Sequence, residues 1–141
     1  MRKLYSLAIL SVLISSSGCS KDFLKSYDHR ILGTWKIIDI DRYGFNGADA
    51  LPFEVSDLFT FEENGKLTYQ KGGKIYQGSW DIRRETNSDQ DEKSLNITAI
   101  DFSSQQVITE YFNNMKFTST NRFTAFINYN SRTYVYRFLR Q

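Results

Sequence analysis

The chain has 141 residues and nearly balanced charge, with 18 Lys+Arg against 16 Asp+Glu for a formal +2 at pH 7, and it carries one cysteine, one histidine and one proline. A single thiol rules out an internal disulfide, and one histidine without a cysteine cluster leaves no obvious zinc centre. With no basic block and no Gly-rich phosphate loop, nucleic acid is not expected as a partner. The length is that of one domain, and no repeat of solenoid or propeller period is present.

Arg2 and Lys3 precede an apolar run over residues 4–14, followed by Ser15-Ser16-Ser17-Gly18-Cys19. That order of charged, apolar and small residues is the pattern of a secretory signal peptide, and the run is too short to span a bilayer. Ser17-Gly18-Cys19 resembles a bacterial lipobox, which implies cleavage before Cys19 and lipidation of its sulfur. The expected organisation is a lipoprotein signal peptide over residues 1–18, a lipidated tether over 19–30 and a barrel domain over 31–141. A lone thiol in an exported domain would be reactive, and acylation removes it. Acyl chains such as palmitate contribute about 0.8 kcal/mol per buried methylene, so two or three keep a domain on its membrane. Ser20-Lys21-Asp22 is similar to the short acidic tag that sends some Gram-negative lipoproteins to the cell surface. Loss of residues 1–18 removes Arg2 and Lys3 and no acid, leaving 16 basic against 16 acidic side chains. Membrane contact is therefore expected through the N-terminal lipid rather than through charge. The expected location is the bacterial cell envelope, at the outer membrane on its periplasmic or surface side.

The first strand is expected over residues 34–41, with Gly33 and Trp35 at its start. Residues 42–57, holding Gly44, Phe45, Gly47 and Pro52, are too long for a hairpin and are expected to fold over one end as a lid. Residues 58–69 are two alternating runs joined by Asn64-Gly65, a pair that tolerates the positive φ angles of tight hairpins. Lys71-Gly72-Gly73-Lys74 supplies a second turn, and residues 75–83 then place Tyr76, Gly78, Trp80 and Ile82 on one face. Residues 85–93 form a solvated acidic connection, with Arg83 and Arg84 facing it as a surface charge cluster. Leu95, Ile97 and Ala99 mark the fifth strand and residues 107–112 the sixth. Asn113-Asn114 reads as a turn, which groups residues 115–118 with 122–128 as the seventh strand. Residues 132–139 are the eighth.

Eight strands in one open sheet leave two edges, and closure removes them. Short sequential connections point to an all-β fold, an eight-stranded antiparallel up-and-down β-barrel whose last strand returns to the first. That return brings Trp35 beside the chain end, where Arg137 or Arg140 can lie across the indole as a cation-π partner. Arg140 is preferred, because alternation puts it on the face of Tyr134, Tyr136 and Phe138. Gly33-Thr34-Trp35 at the first strand, Phe59-Thr60-Phe61 and Gly78-Ser79-Trp80 downstream, and an arginine in the last strand resemble the lipocalins. The likeness is specifically to short lipocalin-like, calycin-type lipoproteins of Gram-negative bacteria, over residues 31–141. The resemblance implies a calyx that binds a small hydrophobic ligand.

The interior of an eight-stranded barrel can be filled by side chains or can hold one small ligand. Phe59, Phe61, Tyr76, Trp80, Tyr134 and Tyr136 are the expected ligand-binding positions, with Gly33, Trp35, Arg137 and Arg140 closing the barrel. The alternative is a filled barrel that acts as a non-catalytic interaction module for another envelope protein or a glycan. Catalysis, a metal and a cofactor are not expected. His29 falls in the tether, and Asp39 and Asp41 read as a solvated strand end, with carboxylate chemistry alongside Asp81 or Glu110 only a remote option.

Overall fold

Alternating apolar and polar residues build eight strands: β1 (Gly33–Tyr43), β2 (Leu58–Phe61), β3 (Lys66–Lys71), β4 (Lys74–Arg84), β5 (Lys93–Asp101), β6 (Gln106–Ser119), β7 (Arg122–Tyr129) and β8 (Arg132–Arg140). The structure is a computed structural model and describes residues 25–44, 51–85 and 91–141. The expected signal peptide, Cys19 and the expected tether as far as residue 24 lie outside the described residues. Each strand pairs antiparallel with the next and β8 pairs with β1, closing an up-and-down barrel. Closure sets Trp35 opposite Arg140 and Ile37 opposite Phe138. All eight expected strands are present, and the inward face is the apolar one wherever alternation is unbroken.

Two irregularities shift the face. In β1 the register slips between Ile37 and Asp39. Trp35 and Ile37 are buried ahead of the slip, whereas Asp39 and Asp41 beyond it meet the outer-face Arg137. In β6 the slip lies between Asn113 and Lys116, and Asn114 takes a positive φ of 45°. A bulge of this kind inserts an extra residue and bends its strand. The buried residues accordingly change from Phe112 to Met115 across it.

The β6 bulge corrects the expected strand boundaries. Asn113-Asn114 is not a turn, and residues 115–118 are the second half of β6 rather than the start of β7. The first half of β6 pairs with β5, from Gln106 opposite Asp101 to Phe112 opposite Leu95, and the second half pairs with β7. A strand that changes partners halfway looks like two strands in sequence. The count of eight stands because the hairpin to β7 instead turns at Thr120 and Asn121.

The stretch expected to be tether ends in a short helix, α1 (Tyr27–Ile31). It packs at the end of the barrel where β1 begins, with Ile31 fully buried and the Ile31 carbonyl accepting the Trp35 indole N–H at 2.5 Å. This is the helix end. Residues 51–57, from the long connection, lie at the opposite end beside the β3–β4, β5–β6 and β7–β8 turns; we call it the plug end.

Candidate ligand site at the plug end of the barrel

The barrel interior is filled with rings. None of Phe59, Phe61, Tyr76, Trp80, Tyr134 and Tyr136 is more than 9% exposed. They pack on one another and on their neighbours at short range: Phe59 on Tyr69 at 4.7 Å between centroids, Phe61 on Trp80 at 5.6 Å and Phe112 on Tyr136 at 5.5 Å. Phe123 stacks on Phe138 at 4.2 Å. Offset and edge-to-face pairs at such distances add about 0.5–1.5 kcal/mol each beyond their burial.

One ring comes from outside the strands. Phe53, beside the single proline, is fully buried and stands between Phe59 (5.2 Å), Tyr69 (5.3 Å) and Phe112 (5.5 Å). A connection that would otherwise cross the surface thus fills the upper barrel. Its C-terminal foot is stitched to β1, the Ile37 N–H donating to the Asp57 carbonyl at 3.0 Å and the Ser56 N–H to the Ile37 carbonyl at 2.8 Å. The buried Asp57 carboxylate accepts from the Tyr69 hydroxyl at 2.6 Å and from the Glu54 N–H at 2.8 Å. Burial first, and the bond to Asp57 second, push the Tyr69 hydroxyl far above its ordinary pKa. That hydroxyl stays a donor at any physiological pH, which fixes the plug.

Above this core a cleft of about 600 Å³ opens between the plug and the inner face of β6. Leu51, Pro52, Lys71, Tyr76, Ile108 and Glu110 form its main walls. Its size falls within the range of small-molecule sites, about 300–1,000 Å³. The Tyr76 hydroxyl donates to Gln106 Oε1 at 3.0 Å. Lys71 donates to the Pro52 carbonyl at 3.2 Å and pairs with Glu54 at 2.9 Å, tying β3 to the plug. Glu110 falls on the same face of β6 as Ile108 and the buried Phe112, and burial raises its pKa. Beneath the plug, the buried Tyr136 hydroxyl has no hydrogen-bond partner among the described residues. Its pKa is also raised, by burial and then by the charge of Glu110.

At the helix end the closure residues lie together. The Arg140 guanidinium sits 4.4 Å over the Trp35 ring and donates to the Leu32 carbonyl at 2.6 Å and the Arg30 carbonyl at 2.5 Å. Gly33 holds a φ of +107°, which a side chain rarely adopts, and a Cβ there would meet Arg140 Nη1 at 3.1 Å. Arg137 is on the other face of β8 and bonds Asp39 and Asp41, clamping the β1–β8 seam from outside. Those two acids are ion-paired and still solvent-exposed, as expected of a solvated strand end, and Asp81 pairs with Arg83 at 2.6 Å. Arg84 reaches Asp91 at 2.9 Å across the acidic connection. His29 is exposed on α1 and lines a cavity of about 310 Å³ with Lys25, Arg30, Thr120, Asn121 and Arg140. Among the described residues, no group of three or more His, Cys, Asp or Glu side chains could hold a metal ion.

Of the six expected ligand positions, only Tyr76 lines the cleft. Phe53, Asp57, Tyr69, Gln106 and Glu110 were not expected at a ligand site. Alternation from Phe112 back along β6 was signal enough to put Glu110 on the inner face. Phe53 had no periodic signal, since it lies in a connection. Comparison with protein families, curated proteins and solved structures finds no match for the chain.

Proposed function

We propose that the protein is a lipid-anchored, non-catalytic binding protein of the bacterial cell envelope, held at the outer membrane through Cys19. In this reading its lipocalin-like barrel takes a small hydrophobic or amphipathic ligand at the plug end. The observation that supports this reading best is the cleft between Leu51, Pro52, Tyr76 and Ile108, which offers apolar walls outside an interior already filled by rings. The ligand site moves from the deep calyx to its mouth.

The test uses residues 19–141 carrying Cys19→Ser, mixed with envelope lipid extracts and examined by native mass spectrometry. A bound species lost on Ile108→Trp, which fills the cleft, supports the reading. Failure of the extract to yield any bound species would overturn it. Labelling cells with radioactive palmitate checks the anchor, which predicts incorporation in the full chain and none in Cys19→Ser.

A second reading has its own observation. Among the described residues, six of the seven exposed large hydrophobic residues, Tyr43, Val55, Ile75, Phe102, Val107 and Tyr129, lie at the plug end. Exposed apolar residues gathered on one face suit contact with another macromolecule. In that reading the filled barrel presents this end to an envelope protein or glycan while α1 and the tether face the membrane.

A further inference from the structure

The cleft contains one group that its apolar walls do not explain. Glu110 points from β6 into the mouth between Ile108 and Phe112, where an apolar residue would fit the pattern of that face. Among the described residues no hydrogen bond or ion pair engages its carboxylate. The nearby cations are otherwise placed: Lys71 is tied to Glu54 and the Pro52 carbonyl. Arg42 is exposed on β1, in register with Tyr134 of β8, and Lys74 stands at the rim. Burial is what raises the carboxyl pKa, and no positive charge offsets it. A partly buried carboxylate without a partner costs free energy, and a site retains such a group where a ligand supplies the missing half of the pair.

Resting on the reading of the cleft as a ligand site, we propose that Glu110 sets its specificity, and that the ligand carries a protonated amine which pairs with this carboxylate while an apolar body lies against Tyr76, Ile108 and Leu51. The class is a small amphipathic amine, such as an alkylammonium compound or the amine end of a larger apolar molecule. Charge-assisted hydrogen bonds are roughly twice as strong as neutral ones, so the amine dominates the choice among ligands of equal apolar size. Binding strengthens as pH rises through the Glu110 pKa, because the carboxylate is the partner, and weakens again once the amine deprotonates. Tyr76, Lys71 and Lys74 line the same cleft as Glu110, and the Glu110 charge reaches the buried Tyr136 hydroxyl beneath the plug. Burial holds the Tyr136 hydroxyl protonated throughout that range.

Three probes of one chain length decide it: hexylammonium, hexanol and hexanoate, titrated into residues 19–141 carrying Cys19→Ser and followed by amide chemical shifts and calorimetry. Hexylammonium is expected to bind about tenfold more tightly than hexanol, the value of one charge-assisted hydrogen bond. Glu110→Gln is expected to erase that difference, while the shifts of Tyr76 and Ile108 on adding hexanol persist and show that the cleft itself survives. Equal affinity for amine and alcohol, or tighter binding of hexanoate through Lys74, overturns the amine assignment while leaving the cleft as a ligand site. If no probe binds and neither Tyr76 nor Ile108 shifts, the cleft reading and the amine assignment fall together.

Discussion

Replacing Phe53 by alanine tests whether the plug is part of the core or merely lies over it. A buried aromatic side chain removes roughly 150–250 Å² from water, which at about 25 cal/mol per Å² corresponds to about 4–6 kcal/mol as an upper bound. Measured Phe→Ala losses in cores run to about 3–5 kcal/mol. The larger part applies here because the foot of the plug cannot follow the missing ring inward. The backbone bonds from Ile37 and Ser56 and the Asp57–Tyr69 bond hold residues 54–57 in place. A cavity walled by Phe59, Tyr69, Phe112 and Tyr136 should therefore persist. In urea, with a slope of about 2 kcal/mol per molar for a domain of this size, the unfolding midpoint should fall by about 2 M. Benzene or xenon should then bind the variant and restore part of the loss, as apolar cavities of this kind remain dry and take such probes. A midpoint shift below about 0.5 M with no benzene binding would refute the reasoning. It would mean that the plug peels away locally and that the strands alone carry the stability.

Three further outcomes follow from the geometry. Arg140→Met keeps the bulk beside Trp35 but leaves the Leu32 and Arg30 carbonyls without their donor, and should cost about 2–4 kcal/mol in a denaturant titration. Arg140→Lys, which can restore only part of the bonding, should fall in between. Gly78→Ala places a Cβ 1.8 Å from the Thr98 carbonyl oxygen and 2.6 Å from the Ala99 Cα, so β4 and β5 must part. A loss of about 3 kcal/mol or more, or failure to fold in expression, is expected, as for severe overpacking. Glu110 holds its proton more tightly when folded, so its contribution is full below the ordinary value of 4.5 and is lost as pH rises through the folded value. Glu110→Gln should therefore be more stable than the parent at pH 7 and no more stable below about pH 4, as read from thermal midpoints across pH.

Most of the barrel could be read from alternation, and the failures share one cause. β4 and β8 keep a strict two-residue period, so the inward positions of Tyr76, Trp80, Tyr134, Tyr136 and Phe138 could be assigned directly. Bulges reset that period in β1 and β6, and a two-residue period cannot announce its own phase shift. Asn113-Asn114 has the composition of a turn, but the positive φ at Asn114 serves a bend within β6. The choice of Arg140 over Arg137 for the indole followed from strand parity alone and matches where each guanidinium lies. The candidate site was harder to see. Its walls come from a connection, a turn and one strand face, which meet only because the barrel closes, and no local pattern records that meeting.

The seam between β1 and β8 also has a temporal consequence. The nine-residue β8 supplies Tyr134, Tyr136 and Phe138 to the interior and pairs with β1 from Trp35 to Tyr43. Until β8 has emerged from the ribosome, neither the cylinder nor its stack of rings can be completed. Loop closure over the whole domain is slow. What forms before β8 arrives is an open sheet with two unpaired edges, and β8 is the strand that seals them.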